Sequence, residues 1–121
     1  MSQEQSVAVT LENRLMSQGV YVTALDIAGA DIDLEYEMVH DQPGVTTHEV
    51  GLVVRTILQV AEERDSWEPG RLEARAYSTS GDRRGDWHVR GEWITGLGDS
   101  LTEIEFSERV LNTITHENMG K

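Results

Sequence analysis

The chain contains no cysteine. That excludes thiolate zinc sites, iron–sulfur clusters, cysteine nucleophiles and a disulfide-stapled scaffold. Lysine is almost as scarce. Nine of the ten basic residues are arginine, and the single lysine is Lys121. With one phenylalanine, an aromatic core must draw on the three tryptophans and three tyrosines. No apolar run approaches the roughly 20 residues needed to cross a bilayer. The opening residues, Met1 to Gln5, are polar and lack the basic-then-apolar order of a secretory signal. A soluble cytoplasmic protein that engages neither membrane nor nucleic acid is the expectation.

What is present in excess is negative charge. There are 22 acidic residues against 10 basic ones, a formal net charge of −12 at pH 7. Carboxylates stay hydrated when molar salt shortens the screening distance to about 3 Å. At low salt the same surface repels itself and weakens the compact state. Acid excess with arginine retained and lysine depleted therefore reads as adaptation to a halophilic cytoplasm. The 121 residues fit one domain, 1–121, with fraying expected at 1–5 and 116–121. A chain of this size buries roughly two-thirds of its unfolded surface, so it needs no metal or disulfide to fold.

Hydrophobic periodicity sets out the elements. Val7, Leu11 and Leu15 share a helical face over 6–18, and Gly19 is a good stop. Residues 20–27 are β-branched and aromatic and predict a strand. Residues 32–39 alternate strictly: Ile32, Leu34, Tyr36 and Met38 one way, Asp33, Glu35 and Glu37 the other. A turn at 29–31 joins the two as a hairpin. Thr46 and Glu49 fit a capping box opening a helix over about 46–65, with Val50, Val53, Val54, Ile57, Leu58 and Ala61 as its apolar stripe. Strands follow at 71–78 and 87–94, with Trp87, Val89 and Trp93 on the core side of the latter. A last helix runs to about Ile114, with Ser100 and Glu103 as its capping pair. The order is α-β-β-α-β-β-α. It predicts an α+β domain in which two hairpins form a four-stranded antiparallel sheet, with helices packed mainly on one face.

The chain resembles an uncharacterised family of small acidic haloarchaeal proteins. The resemblance rests on Arg14-Leu15-Met16-Ser17 leading to Gly19-Val20-Tyr21-Val22, on Leu34 to His40, on Glu92-Trp93 and on Glu105 to Leu111. It spans most of the chain and implies no activity, since that family has no assigned function. The element order is also similar to the secretion-chaperone-like and YbjN-like α/β folds, which bind protein segments. That likeness is one of topology alone.

Candidate sites are few. His48-Glu49 lacks the second histidine of a zincin helix, because Leu52 occupies that position. His40, Asp41 and His48 flank one turn, and a divalent metal would need at least three such ligands to converge. His88 shares a strand with Arg90, and a histidine beside carboxylates is suited to general base work near neutral pH. Arg83 and Arg84, in the loop Ser80 to Asp86, are candidates for cradling an anion. Trp67, at a helix end, is the tryptophan expected to be exposed, and with Arg75, His88 and Arg90 it makes up a candidate binding surface. No catalytic set or cofactor motif emerges. The sequence favours a non-enzymatic protein-binding or regulatory module, acting on a protein partner or by self-association as a homodimer. The alternative is a small-ligand or metal-dependent enzyme using His40 and His48, or His88.

The charge excess makes a first prediction. Helical circular dichroism falls when the protein is moved from 2–3 M KCl, on the order of the salt that screens at 3 Å, into dilute buffer. Unchanged folding and melting there would refute salt adaptation.

Overall fold

The computed structural model describes residues 3–38, 44–64 and 67–116. In chain order the elements are α1 (Gln3–Ser17), β1 (Val20–Ala28), β2 (Asp31–Met38), α2 (Thr47–Glu63), β3 (Leu72–Tyr77), β4 (Arg83–Val89), α3 (Gly91–Gly96), α4 (Glu103–Leu111) and β5 (Thr115–His116). The strands lie in the order β1-β2-β3-β4-β5.

The α+β class expected from periodicity holds, but the sheet is mixed. β1 pairs antiparallel with β2, β2 parallel with β3, and β3 antiparallel with β4. The two hairpins are joined through α2, and a helix long enough to cross the sheet carries the chain back to its starting end. Parallel pairing of β2 and β3 follows from that crossover. Alternation within a strand shows which residues are buried but carries no information about the direction of the neighbour.

The hairpin turn is set by Gly29, whose φ of 64° meets the requirement at the first central position of a two-residue loop. Inward residues form the core as patterned: Ile32, Leu34 and Tyr36 from β2, Leu72, Ala74 and Ala76 from β3, Trp87 and Val89 from β4. Helices cover this face with Val7, Leu11 and Leu15 of α1 and Val50, Val53, Ile57 and Val60 of α2. α1 starts at Gln3, earlier than the expected Ser6.

Two register shifts break the alternation. In β1, Val22 pairs with Tyr36 and Ala24 with Glu35, leaving Thr23 as an extra residue. The inward positions therefore switch from Val20 and Val22 to Leu25 and Ile27. In β4, Arg83 pairs with Tyr77 and Gly85 with Ala76, leaving Arg84 extra. Such bulges re-aim a side chain, and Arg84 is turned into the core.

Two expectations at the C-terminal half are corrected. The strand predicted over 87–94 ends at Val89, and Gly91–Gly96 is a short helix. Gly91 packs beside the Gly70–Arg71 backbone, where a Cβ would stand in ordinary contact at 3.5 Å. The chain turns at this crossing, and Trp93 rides on α3, half-buried, instead of on a strand. The cap of α4 is Thr102 with Glu105, two residues beyond the expected Ser100 and Glu103. Thr102 Oγ1 accepts from the Glu105 amide at 3.1 Å, and the Glu105 carboxylate accepts from the Thr102 amide at 2.9 Å.

The caps and helix-end pairs depend on ionised carboxylates. The Thr102 amide and hydroxyl hold Glu105 below its usual 4.5, and hydrogen bonding to Arg14 does the same for Glu63. Depressed carboxylates contribute stability above the unfolded value, and that contribution is lost as pH falls through the lower folded value. Amide protection factors in α4, corrected for the intrinsic slowing of exchange in acid, should accordingly fall below pH 4.5. Thr102→Ala should do the same at neutral pH, at a cost of about 1 kcal/mol. Exchange in α4 that ignores both changes would show that the cap is not what holds this helix.

Candidate functional site

The one large polar assembly in the core centres on Glu49. As the third residue of α2 it completes the expected capping box. Thr46 Oγ1 accepts from its amide at 3.1 Å, and its carboxylate accepts from the Thr46 amide at 3.2 Å. The side chain is nevertheless fully buried, at 0% exposure. Arg84 reaches it from β4 with two bonds, Nη2 to Oε2 at 2.9 Å and Nη1 to Oε1 at 3.2 Å. The Tyr36 hydroxyl donates to Oε2 at 2.6 Å and accepts from Trp87 Nε1 at 3.0 Å. Arg84 also donates to the carbonyl oxygens of Tyr77 and Gly44. Burial raises the Tyr36 pKa, and the Glu49 charge raises it further. Among the described residues no buried side-chain polar atom lacks a partner. The cluster is sealed and satisfied, so its geometry is that of a structural lock.

The sheet's outer face presents the opposite arrangement. Pairing places Asp26, Asp33, Glu73 and His88 abreast in one row. A second row runs Ala24, Glu35, Arg75, Asp86 and Thr115. A third runs Tyr21, Glu37, Tyr77 and Arg83. Arg75 sits between acids, with Glu35 at 3.1 Å and Asp33 at 3.8 Å.

The candidate residues thus occupy separate places. Arg75 and His88 are on this outer face, where His88 stacks on Trp93 with ring centres 6.2 Å apart. Arg90, at the start of α3, holds its guanidinium 5.8 Å from the centre of the same Trp93 ring. Trp67 does not join them. It is buried, at 5% exposure, and its Nε1 donates to the Gly29 carbonyl at 3.3 Å. An indole that pins the segment before β3 onto the first hairpin is a packing residue, which corrects the expected exposure. Arg83 and Arg84 lie in β4 and not in a loop, and the bulge separates them. Arg83 pairs with Asp86 on the surface while Arg84 is held inside by Glu49. The pair does not form an anion cradle. His40 and Asp41 lie outside the described residues. His48 is exposed on the helical layer, across the sheet from His88. Among the described residues no three His, Asp or Glu side chains converge on a possible metal position.

Sequence reasoning missed two surfaces. The first is the outer edge of β1, the end strand of the sheet. Among the described residues Tyr21 of β1 is one of the exposed large hydrophobic side chains, with Val9 and Met16 on α1 and Ile104 on α4. The second is a groove of about 410 Å³ between α2 and α4, lined by residues including Val50, Gly51, Val54, Leu58 and Phe106. Neither was legible because both depend on which elements end up as neighbours. No helix among the described residues is long and apolar enough to cross a membrane.

The buried pair makes a strong prediction. Arg84→Met leaves the Glu49 charge without its partner in the core and should destabilise by about 3–5 kcal/mol in urea unfolding. Adding Glu49→Gln to that variant should restore part of the loss. A cost below about 1 kcal/mol for Arg84→Met, the range of an exposed pair, would contradict the lock.

A family of domains of unknown function, DUF8159, matches residues 1–119. No curated protein and no solved structure matches the chain.

Proposed function

We propose that this chain, which belongs to the DUF8159 family, is a protein-binding module that pairs through the outer edge of β1, with a second copy of itself as the first partner. The observation that carries this reading is the charge of that edge. β1, VYVTALDIA, has one charged residue in nine, whereas β2, DIDLEYEM, has four in eight. Two chains each at −12 approach with least repulsion where charge is sparse. An edge strand offers unpaired backbone donors and acceptors, and proteins usually protect such edges with charge, proline or bulges. Here Asp26 and the bulge at Thr23 give only partial protection, since the other eight residues of the strand carry no charge. Tyr21, exposed near the start of the strand, supplies apolar area on the strand itself. Strand addition of this kind draws affinity from main-chain hydrogen bonds and specificity from alternate side chains.

The same reading assigns the module to a halophilic cytoplasm. Asp26, Asp33 and Glu73 stand side by side across three strands. Like charges directly opposite one another are destabilising, and concentrated salt relieves that repulsion.

Sedimentation velocity over a concentration series at high salt tests the proposal. The wild-type chain should show a monomer–dimer equilibrium. Tyr21→Asp with Ala24→Asp adds two charges per copy to the edge and should weaken association at least tenfold, about 1.4 kcal/mol, without changing the circular dichroism spectrum. A chain that stays monomeric at every concentration, or a variant that dimerises as well as wild type, would rule the edge out.

A further inference from the structure

α2 carries a glycine that the chain's own packing does not explain. Gly51 lies near the start of a 17-residue helix, where glycine is less favourable than alanine. A Cβ built there would meet only the flexible end of Arg55, at an ordinary 3.5 Å. Nothing else within 4 Å requires the missing side chain. Glycine is also the residue that lets a bound group approach the backbone closely, and Gly51 opens onto the groove between α2 and α4.

The walls of that groove are apolar side chains of both helices, chiefly Val54, Leu58, Phe106 and Val110. Its volume, about 410 Å³, falls within the size of small-molecule sites, roughly 300–1,000 Å³. Arg55, one turn beyond Gly51, also lines it. Arg14, Arg71, Arg75, Arg83, Arg84 and Arg90 each pair with a carboxylate. Among the described residues Arg55 makes no such pair, so its charge is available to a ligand.

We propose that this groove binds a small amphipathic carboxylate, its aliphatic chain or ring laid across Gly51 and its carboxylate on Arg55. Glu103 lines the same groove and repels a second anionic group, so the ligand carries its charge at one end. An incoming protein helix fits less well. It is about 10 Å across and needs a line of small residues, whereas Val50 and Val54 flank the single glycine. The site is independent of the β1 edge.

Octanoate is a suitable probe, with 1-octanol as its uncharged counterpart. In a nitrogen–proton correlation titration of the full chain, octanoate should shift the amides of Val50 to Arg55 and of Phe106 to Val110. The shifts should saturate with a dissociation constant below about 1 mM, that is, beyond about 4 kcal/mol of binding. Gly51→Leu puts a side chain into the groove from a position where the added Cβ meets only the end of Arg55. It should abolish binding of both probes while the melting temperature is kept or raised, because helix propensity improves. Arg55→Gln should weaken octanoate about tenfold, as expected for loss of a charge-assisted bond, and leave 1-octanol unchanged. No saturable shift with octanoate, or undiminished octanoate binding by folded Gly51→Leu, would overturn the assignment.

Discussion

The Glu49–Arg84 contact holds the architecture to one solution. Each charge, taken from water alone, would cost several kcal/mol. Together they are tolerated because, among the described residues, every buried side-chain nitrogen and oxygen has a hydrogen-bond partner. Glu49 comes from the first turn of α2, Arg84 from β4, Tyr36 from β2 and the Gly44 carbonyl from the approach to α2. Three segments, β2, the start of α2 with its approach, and β4, must be in place before the ions are satisfied. The start of the crossover helix is thereby fixed over the middle of the sheet. A register slip of one residue in β4 would expel Arg84 and leave Glu49 buried alone. Specificity, more than net stability, is what such a pair contributes, since an apolar replacement of matching shape can be equally stable.

The pair also explains why the β4 bulge is needed. Regular alternation from Trp87 would place Gly85 and Arg83 inward and Arg84 outward. The extra residue reverses the parity, so the inward guanidinium is Arg84 while Arg83 faces solvent. The bulge in β1 performs a related change of parity, letting Val20 and Val22 pack inward at one end and Leu25 and Ile27 at the other. Both irregularities add twist and re-aim side chains.

Much of the fold was legible because its signals are local. The stripe of α2, the Thr46–Glu49 capping box, the alternation of β2 and the core position of Trp87 each follow from spacing within a few residues. What escaped reading is non-local. The parallel pairing of β2 and β3 depends on a crossover, which no window of residues encodes. The inward turn of Arg84 depends on a bulge, and SGDRRGD looks like a polar loop on composition alone. Glu49 was recognised as a cap but not as a buried charge, since the two roles share one residue type at one position. Trp67 was expected outside because its neighbours are polar; its indole lies against Gly29, 38 residues away. Of the candidate surface, Arg75 and His88 lie on the outer face, while the β1 edge and the α2–α4 groove emerged only from the packing of separate elements.

Charge then decides which surfaces are open to a partner. The outer face holds Asp26, Asp33, Glu35, Glu37, Glu73 and Asp86 against Arg75 and Arg83. Two copies meeting face to face would bring these carboxylates together, and concentrated salt would only screen the repulsion without creating attraction. The β1 edge and the α2–α4 groove differ from this face in the same respect: apolar atoms dominate and carboxylates are few. Apolar burial is not weakened by screening, and salts that are excluded from protein surfaces strengthen it. In a chain carrying this much negative charge, recognition through backbone pairing and apolar contact persists at salt concentrations that would erase a purely ionic interface. The contacts proposed at the charge-poor edge and groove would draw on apolar burial, the contribution that salt does not screen.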